Sequence, residues 1–311
     1  MLSRVANNLF WLDRYLVRSH SLLNLIKANY LSNLDISDIS PWDKTVLNFT
    51  GKSLNELNLK QTDSIDIMQF MLFNRQFPNS LINLVGKTRQ NTRSVQEHIS
   101  KEIWQNINRY YHFLNQKNLP LRFIDEDPIT IIDEMLMFHM LHYSNSDINQ
   151  ERGNAYCFMN LGKYIERLCQ SIDFILLRTS YANTSLDELE AHVYWKNLLV
   201  SVGGYQQFVK THKSVFDLSN IIQFMILNPY FPNSIFYCLR KIAIHSGRLN
   251  EFNGINAIND MSFRIDKLES NMRYTKIDKL VRIGLQPYLE ELRDEMNDLS
   301  REIDMIYFNT I

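Results

Sequence analysis

The chain has 311 residues, and its 33 Lys and Arg stand against 34 Asp and Glu for a formal net charge of −1, which excludes a global basic field for nucleic acid. Only 9 Gly and 7 Pro occur where average usage gives roughly 22 and 16, so long helices with sparse punctuation are expected. The 45% hydrophobic content is enough for a substantial core and excludes disorder of the bulk.

In chain order, the opening Met1-Leu2-Ser3-Arg4-Val5-Ala6-Asn7-Asn8 lacks the basic, apolar and small-residue succession of a signal peptide. It begins a long helix of period 3.6, with Leu2, Val5, Leu9, Leu12, Leu16, Leu23 and Ile26 on one stripe. A shorter helix follows around Trp42. An apolar helix through Ile67–Phe73 stops at Phe77-Pro78-Asn79-Ser80, because Pro78 disfavours helix at the preceding residue and Asn79 or Ser80 can cap the next helix. The pattern there predicts one helix over about 80–116, ending before Pro120, and Pro128 suits the first turn of a helix near 129–144. The tail from about 276 to 308 is heptad-like in Leu280, Ile283, Leu285, Leu289, Leu292, Met296, Leu299, Ile303 and Ile306. No segment alternates as a strand does, so the fold class is all-α.

The chain also contains a second copy of this pattern. Ile67–Ser80 recurs as Ile221–Ser234 with nine of fourteen positions identical. A similar offset lays Trp42 over Trp195 and Gly51 over Gly204, and a slightly shorter one lays Leu12-Asp13-Arg14-Tyr15-Leu16-Val17-Arg18 over Leu161-Gly162-Lys163-Tyr164-Ile165-Glu166-Arg167. These matches predict a tandem duplication, residues 1–150 and 151–311, packed about a pseudo-two-fold axis as one compact helical bundle.

The three cysteines, Cys157, Cys169 and Cys238, are odd in number and lie in apolar surroundings, which fits free buried thiols in a reducing cytoplasm. Among eight histidines only His139 and His142 share a helical face, with no further ligand at matching spacing, so no metal is expected. No glycine-rich phosphate loop, G-x-S-x-G elbow or C-x-x-C occurs, and no cofactor is expected. No apolar run approaches the roughly 18 residues that span a bilayer, so a soluble cytoplasmic protein without membrane contact is expected.

The chemistry that remains is local. Arg4, Asn7, Trp11, Arg14 and Arg18 recur at steps of three and four and so share a face of the first helix. The second copy keeps Lys163 and Arg167 and adds Glu166. A third helix carries Arg89 and Arg93 one turn apart with Glu97 a turn on, where the second copy has Ala243 and Gly247. Arginine holds a planar carboxylate or phosphate through its fixed fork of donors. These residues fit two readings: an anion site, or interhelical ion pairs with Asp13, Glu97, Glu102 and Glu166. Trp11, Trp42, Trp104 and Trp195 are read as structural anchors.

Met1–Ala6 with Trp11-Leu12-Asp13-Arg14-Tyr15-Leu16-Val17-Arg18, Thr88–Val95 with Ile99–Trp104, Leu161–Arg167 and the terminal Tyr307-Phe308 together resemble the alpha-E domain family, bacterial all-helical proteins of uncharacterised activity named for helices bearing a Glu-Arg motif. The resemblance covers nearly the whole chain, departing from it where Val17 replaces the first copy's glutamate and Asp13 a glycine. It implies association with circularly permuted ATP-grasp ligases and transglutaminase-like peptidases that make or modify peptides. The function expected is therefore an accessory protein that binds such a ligase or its anionic, carboxylate-bearing peptide. An enzymatic alternative is a ligase or transferase with Glu166 as base and Arg14, Arg18 and Arg167 clamping the anion.

Overall fold

A computed structural model describes residues 1–35, 42–60, 63–182, 188–213, 216–252 and 260–308, which form helices and connecting turns with no strand among them. The helices in chain order are α1 (Ser3–Asp35), α2 (Trp42–Thr50), α3 (Ser64–Phe73), α4 (Leu81–Ser94), α5 (Lys101–Leu114), α6 (Leu119–Asp125), α7 (Pro128–Ile148) and α8 (Asn154–Ala182). They continue as α9 (Glu188–Ser201), α10 (Tyr205–His212), α11 (Leu218–Ile222), α12 (Ile235–Phe252), α13 (Asp260–Arg273), α14 (Ile277–Ile283) and α15 (Leu285–Ile303). Helices α11 and α15 each run on into a π-helical turn, Gln223–Leu227 and Asp304–Phe308. None of the described helices is long and apolar enough to cross a membrane.

The chain divides into two compact units. The first is Tyr15–Glu151; the second joins Met1–Arg14 to Arg152–Ile311. Residues 1–14, which sequence order places with the first repeat, thus group with the second unit.

In the first unit α4 packs on α5, α5 on α7, and α3 on α4 and α6. Their apolar stripes bury Met68, Met71, Leu84, Val85, Ile103, Ile107, Ile131 and Ile132. Trp42 is fully buried and its indole donates to Ser64 Oγ at 3.2 Å, as a buried N–H requires. In the second unit α12 packs along α8 and α13, while α15 covers another face of α8. Leu161, Ile165, Leu168 and Ile172 of α8 are fully buried there.

Three expectations about helix limits are corrected. The single helix expected over 80–116 is two, α4 and α5, separated by a 3₁₀ turn at Gln96–His98. Ser100 decides this break: its hydroxyl accepts from the Ile103 amide as the cap of α5, and Gln150 accepts from the Ser100 amide while donating to the His98 carbonyl. The heptad-like tail is interrupted at Gly284, whose φ of 93° no other residue adopts cheaply, and so splits into α14 and α15. In the second copy the glycine at the helix end with positive φ, 68°, is Gly203, matching Gly51 at 70°, whereas Gly204 comes one residue later.

The repeated segments carry the same local contacts. Asn79 Nδ2 donates to the Phe49 carbonyl and Asn233 Nδ2 to the Val202 carbonyl. Phe70 stacks on Phe77, and Phe224 on Phe231. Asn74 and Asn228 each fold their side-chain oxygen onto amides two or three residues on. The caps differ, however. Ser234 Oγ accepts from the Tyr237 amide, whereas the buried Ser80 Oγ has no hydrogen-bond partner.

Candidate functional site

In the second unit, helices α1 and α8 meet at Gly162. A Cβ at this position would lie 2.1 Å from the Phe10 carbonyl oxygen, so only glycine permits the approach. One turn further on along each helix, Arg14 Nε donates to Glu166 Oε2 at 2.9 Å. The other carboxylate oxygen accepts from Gln170 Nε2 at 3.2 Å. Glu166 is 2% exposed and Arg14 12%, so this is a nearly dry ion pair. The Arg14 guanidinium also lies 4.7 Å from the Trp11 ring centroid and 5.4 Å from that of Phe10. Phe10 and Phe158 in turn pack on Phe308, and Phe158 on Tyr307, so the terminal Tyr-Phe pair closes against the same crossing.

Lys163 and Arg167 share α8 with Glu166 but lie along its seam with α12. Lys163 Nζ sits 4.7 Å from the Tyr164 ring centroid and the Arg167 guanidinium 5.8 Å from it. From α12, Lys241 lies 5.3 Å over Tyr237, and the Tyr164 ring stacks on His245 at 5.9 Å. Tyr156 meets the other side of His245, and Arg152 lies 4.3 Å over Tyr156. Burial, reinforced by Lys163, Arg248, Lys241 and Arg152, pushes the His245 imidazole down to about 3, so it is neutral at physiological pH. Burial also raises the Tyr164 phenol, and it pushes the Cys238 thiol up to about 12 and Cys157 and Cys169 to about 11. All three cysteines are buried free thiols, held in the protonated form that is a poor nucleophile.

Arg18, Arg89, Arg93 and Glu97 lie in the first unit, and Arg4 and Asn7 in the second. Arg18 of α1 lies near Lys87 of α4, whose ammonium is pushed downward by burial and then by that guanidinium. Lys87 sits 5.4 Å over Tyr15 and donates to the Pro78 carbonyl at 2.9 Å. Arg89 donates from Nε to Asn108 Oδ1 at 2.8 Å and stacks over Tyr111 at 4.4 Å, with Trp104 further off at 6.0 Å. Arg93 and Glu97 are exposed at the end of α4 and in the turn beyond. Arg4 is exposed on the first turn of α1; Asn7 is half-buried, with Oδ1 lacking a hydrogen-bond partner.

The residues chosen from sequence thus split between the units, and Arg14 and Glu166 are brought into a direct ion pair. Missed altogether were Lys87 and Lys241, together with Arg152, His245 and Arg248. A signal was present: Lys241 stands at the repeat offset from Lys87, so each unit carries a tyrosine and an arginine on one helix and a lysine on another. Those trios are Tyr15, Arg18 and Lys87, and Tyr164, Arg167 and Lys241.

No curated protein and no solved structure matches the chain. The family match, by contrast, extends over residues 1–308 and is described as a predicted alpha-helical domain with a conserved ER motif. The chain belongs to the Alpha-E domain family.

Proposed function

We propose that the protein is a helical accessory protein that binds an anionic, carboxylate-bearing peptide and works beside a peptide-modifying ATP-grasp ligase, with a transglutaminase-like protein in the same system. The observation that carries the binding half is that both units seat basic side chains on tyrosine rings, Lys87 on Tyr15 in one and Lys163 and Arg167 on Tyr164 with Lys241 on Tyr237 in the other, in a chain whose net charge is −1. Guanidinium and ammonium groups resting on aromatic faces keep a carboxylate-binding geometry at little conformational cost. A tandem duplication accounts for both clusters, supported by the nine identical positions of fourteen and the matching asparagine-to-carbonyl bonds. The partner half rests on the family resemblance, and a bacterial cytoplasmic setting fits three buried free thiols.

The enzymatic alternative assigns Glu166 as base. Both of its oxygens are already engaged, by Arg14 and Gln170, and its 2% exposure leaves little room for substrate. That environment suits a structural carboxylate better than a base, which must reach its proton.

The test is affinity purification of the tagged chain from its native host. Co-purification of an ATP-grasp protein is the expected result, and a chain recovered alone under gentle, low-salt conditions overturns the partner assignment.

A further inference from the structure

We infer that the cavity between α13, α14 and α15 is a binding site for a short apolar peptide with both termini free, an assignment that goes beyond the anionic-peptide reading above. All three helices belong to the second unit. Their cavity has a volume of about 780 Å³, inside the ~300–1,000 Å³ usual for small-ligand sites. Met272, Leu280 and Leu292 give it a buried apolar lining, while Phe263 and Ile283, which also line it, are 61% and 50% exposed. Large apolar side chains left open to water around a cavity gain by being covered, so the matching occupant brings apolar side chains of its own.

The charges of the cavity say what else the occupant brings. Arg264 is paired within the site, with Glu295 at 3.9 Å and Glu302 at 3.0 Å. One turn on from Arg264 along α13 stands Lys267, and one turn back from Glu295 along α15 stands Glu291. Both line the cavity and are exposed, and neither makes an ion pair among the described residues. Burial, reinforced by Glu291, pushes the Tyr288 phenol up to about 12, so a neutral donor also lines the site near that carboxylate. A lysine and a glutamate that line one cavity without pairing match a guest with a carboxylate and an ammonium of its own. A purely anionic guest would be opposed by Glu291, and a purely cationic one by Lys267. Neutral contacts come from Asn271 and Thr275. The Thr275 hydroxyl donates to the Asn271 carbonyl and keeps its acceptor capacity, while the Asn271 side-chain amide both donates and accepts, as a peptide group does. An extended tripeptide spans ~10 Å, comparable with the ~8–10 Å between the axes of packed helices.

The experiment is isothermal titration calorimetry of the full chain with leucyl-phenylalanyl-leucine, whose side chains read the same in both directions. Its N-acetyl form, its C-terminal amide and triglycine are titrated in parallel, and helical circular dichroism checks each variant. Expected are binding of the free tripeptide, about tenfold weaker binding of each capped form, and none of triglycine. Lys267→Glu and Glu291→Lys, both at exposed positions, are each expected to weaken the free tripeptide about tenfold. The double exchange, which leaves net charge unchanged, is expected to restore binding, because the peptide can then enter reversed. The inference is overturned if the free tripeptide does not bind, if the capped forms or triglycine bind equally well, if the single variants bind as the parent does, or if the folded double variant stays as weak as either single one. Such a failure leaves the ligase assignment standing, because that assignment is read by co-purification from the host lysate.

Discussion

At the scale of single residues, the Arg14–Glu166 pair sets the largest expected effect. An ion pair this dry loses about 3–5 kcal/mol when one partner goes, because the survivor is left as an uncompensated buried charge. Arg14→Ala and Glu166→Gln are therefore expected to lower chemical-denaturation stability by that order, and the double variant to lose much less than the sum. A Glu166→Gln protein of unchanged stability would point instead to the catalytic reading. His245 gives a pH signature. Its imidazole titrates near 3 when folded and near 6.5 when free, so between those values the unfolded chain binds a proton that the folded chain excludes. The stabilisation is complete above pH 6.5 and is lost as the pH falls toward 3. Melting temperature is expected to drop on acidification from pH 7 to pH 5, and His245→Gln to flatten that slope. Buried His139, depressed in the same direction, remains in both proteins and so leaves the comparison specific to His245.

At the scale of elements, Gly162 fixes how α1 and α8 approach. Gly162→Ala places a methyl 2.1 Å from the rigid Phe10 carbonyl, which must push the helices apart and loosen the Arg14–Glu166 pair one turn away. A loss of at least about 3 kcal/mol is expected in equilibrium unfolding. The same change at Gly86 meets nothing within 4 Å and serves as the control; there alanine's helix propensity should leave stability equal or slightly higher. Ser100→Ala removes the cap that starts α5 and is expected to cost about 1 kcal/mol. The periodicity across 80–116 hid this break, since Val95 and Ile99 are apolar and buried as a continuous helix would have them. The decisive groups were a hydroxyl and the Gln150 side chain, fifty residues downstream of the amide it binds, and no local pattern reports such a partner.

At the scale of the whole molecule, the grouping of Met1–Arg14 with Arg152–Ile311 has a direct consequence. A fragment of residues 152–311 would retain Glu166 but lack Arg14, and Phe308 and Phe158 would lose Phe10 or its neighbouring surface. It is expected to fold poorly alone and to gain helical signal by circular dichroism when residues 1–35 are supplied as a separate peptide. A fragment equally stable with and without that peptide would show that the α1 contacts contribute little.

The sequence by itself determined the helical class, the order of most elements and the repeated segment. These are local properties: apolar spacing, proline and glycine positions, and side-chain oxygens that fold back on nearby amides. It also identified Arg14 and Glu166 as notable, but left open whether they formed an anion pocket or an ion pair. Tertiary structure decided that Arg14 faces Glu166, because the contact depends on the Gly162 approach between helices 152 positions apart at the pair. It likewise brought Lys241 and His245 of α12 beside Lys163 and Tyr164 of α8, a juxtaposition no helical period encodes. Burial and the electrostatic character of a site arise from which faces meet, and only packing determines that.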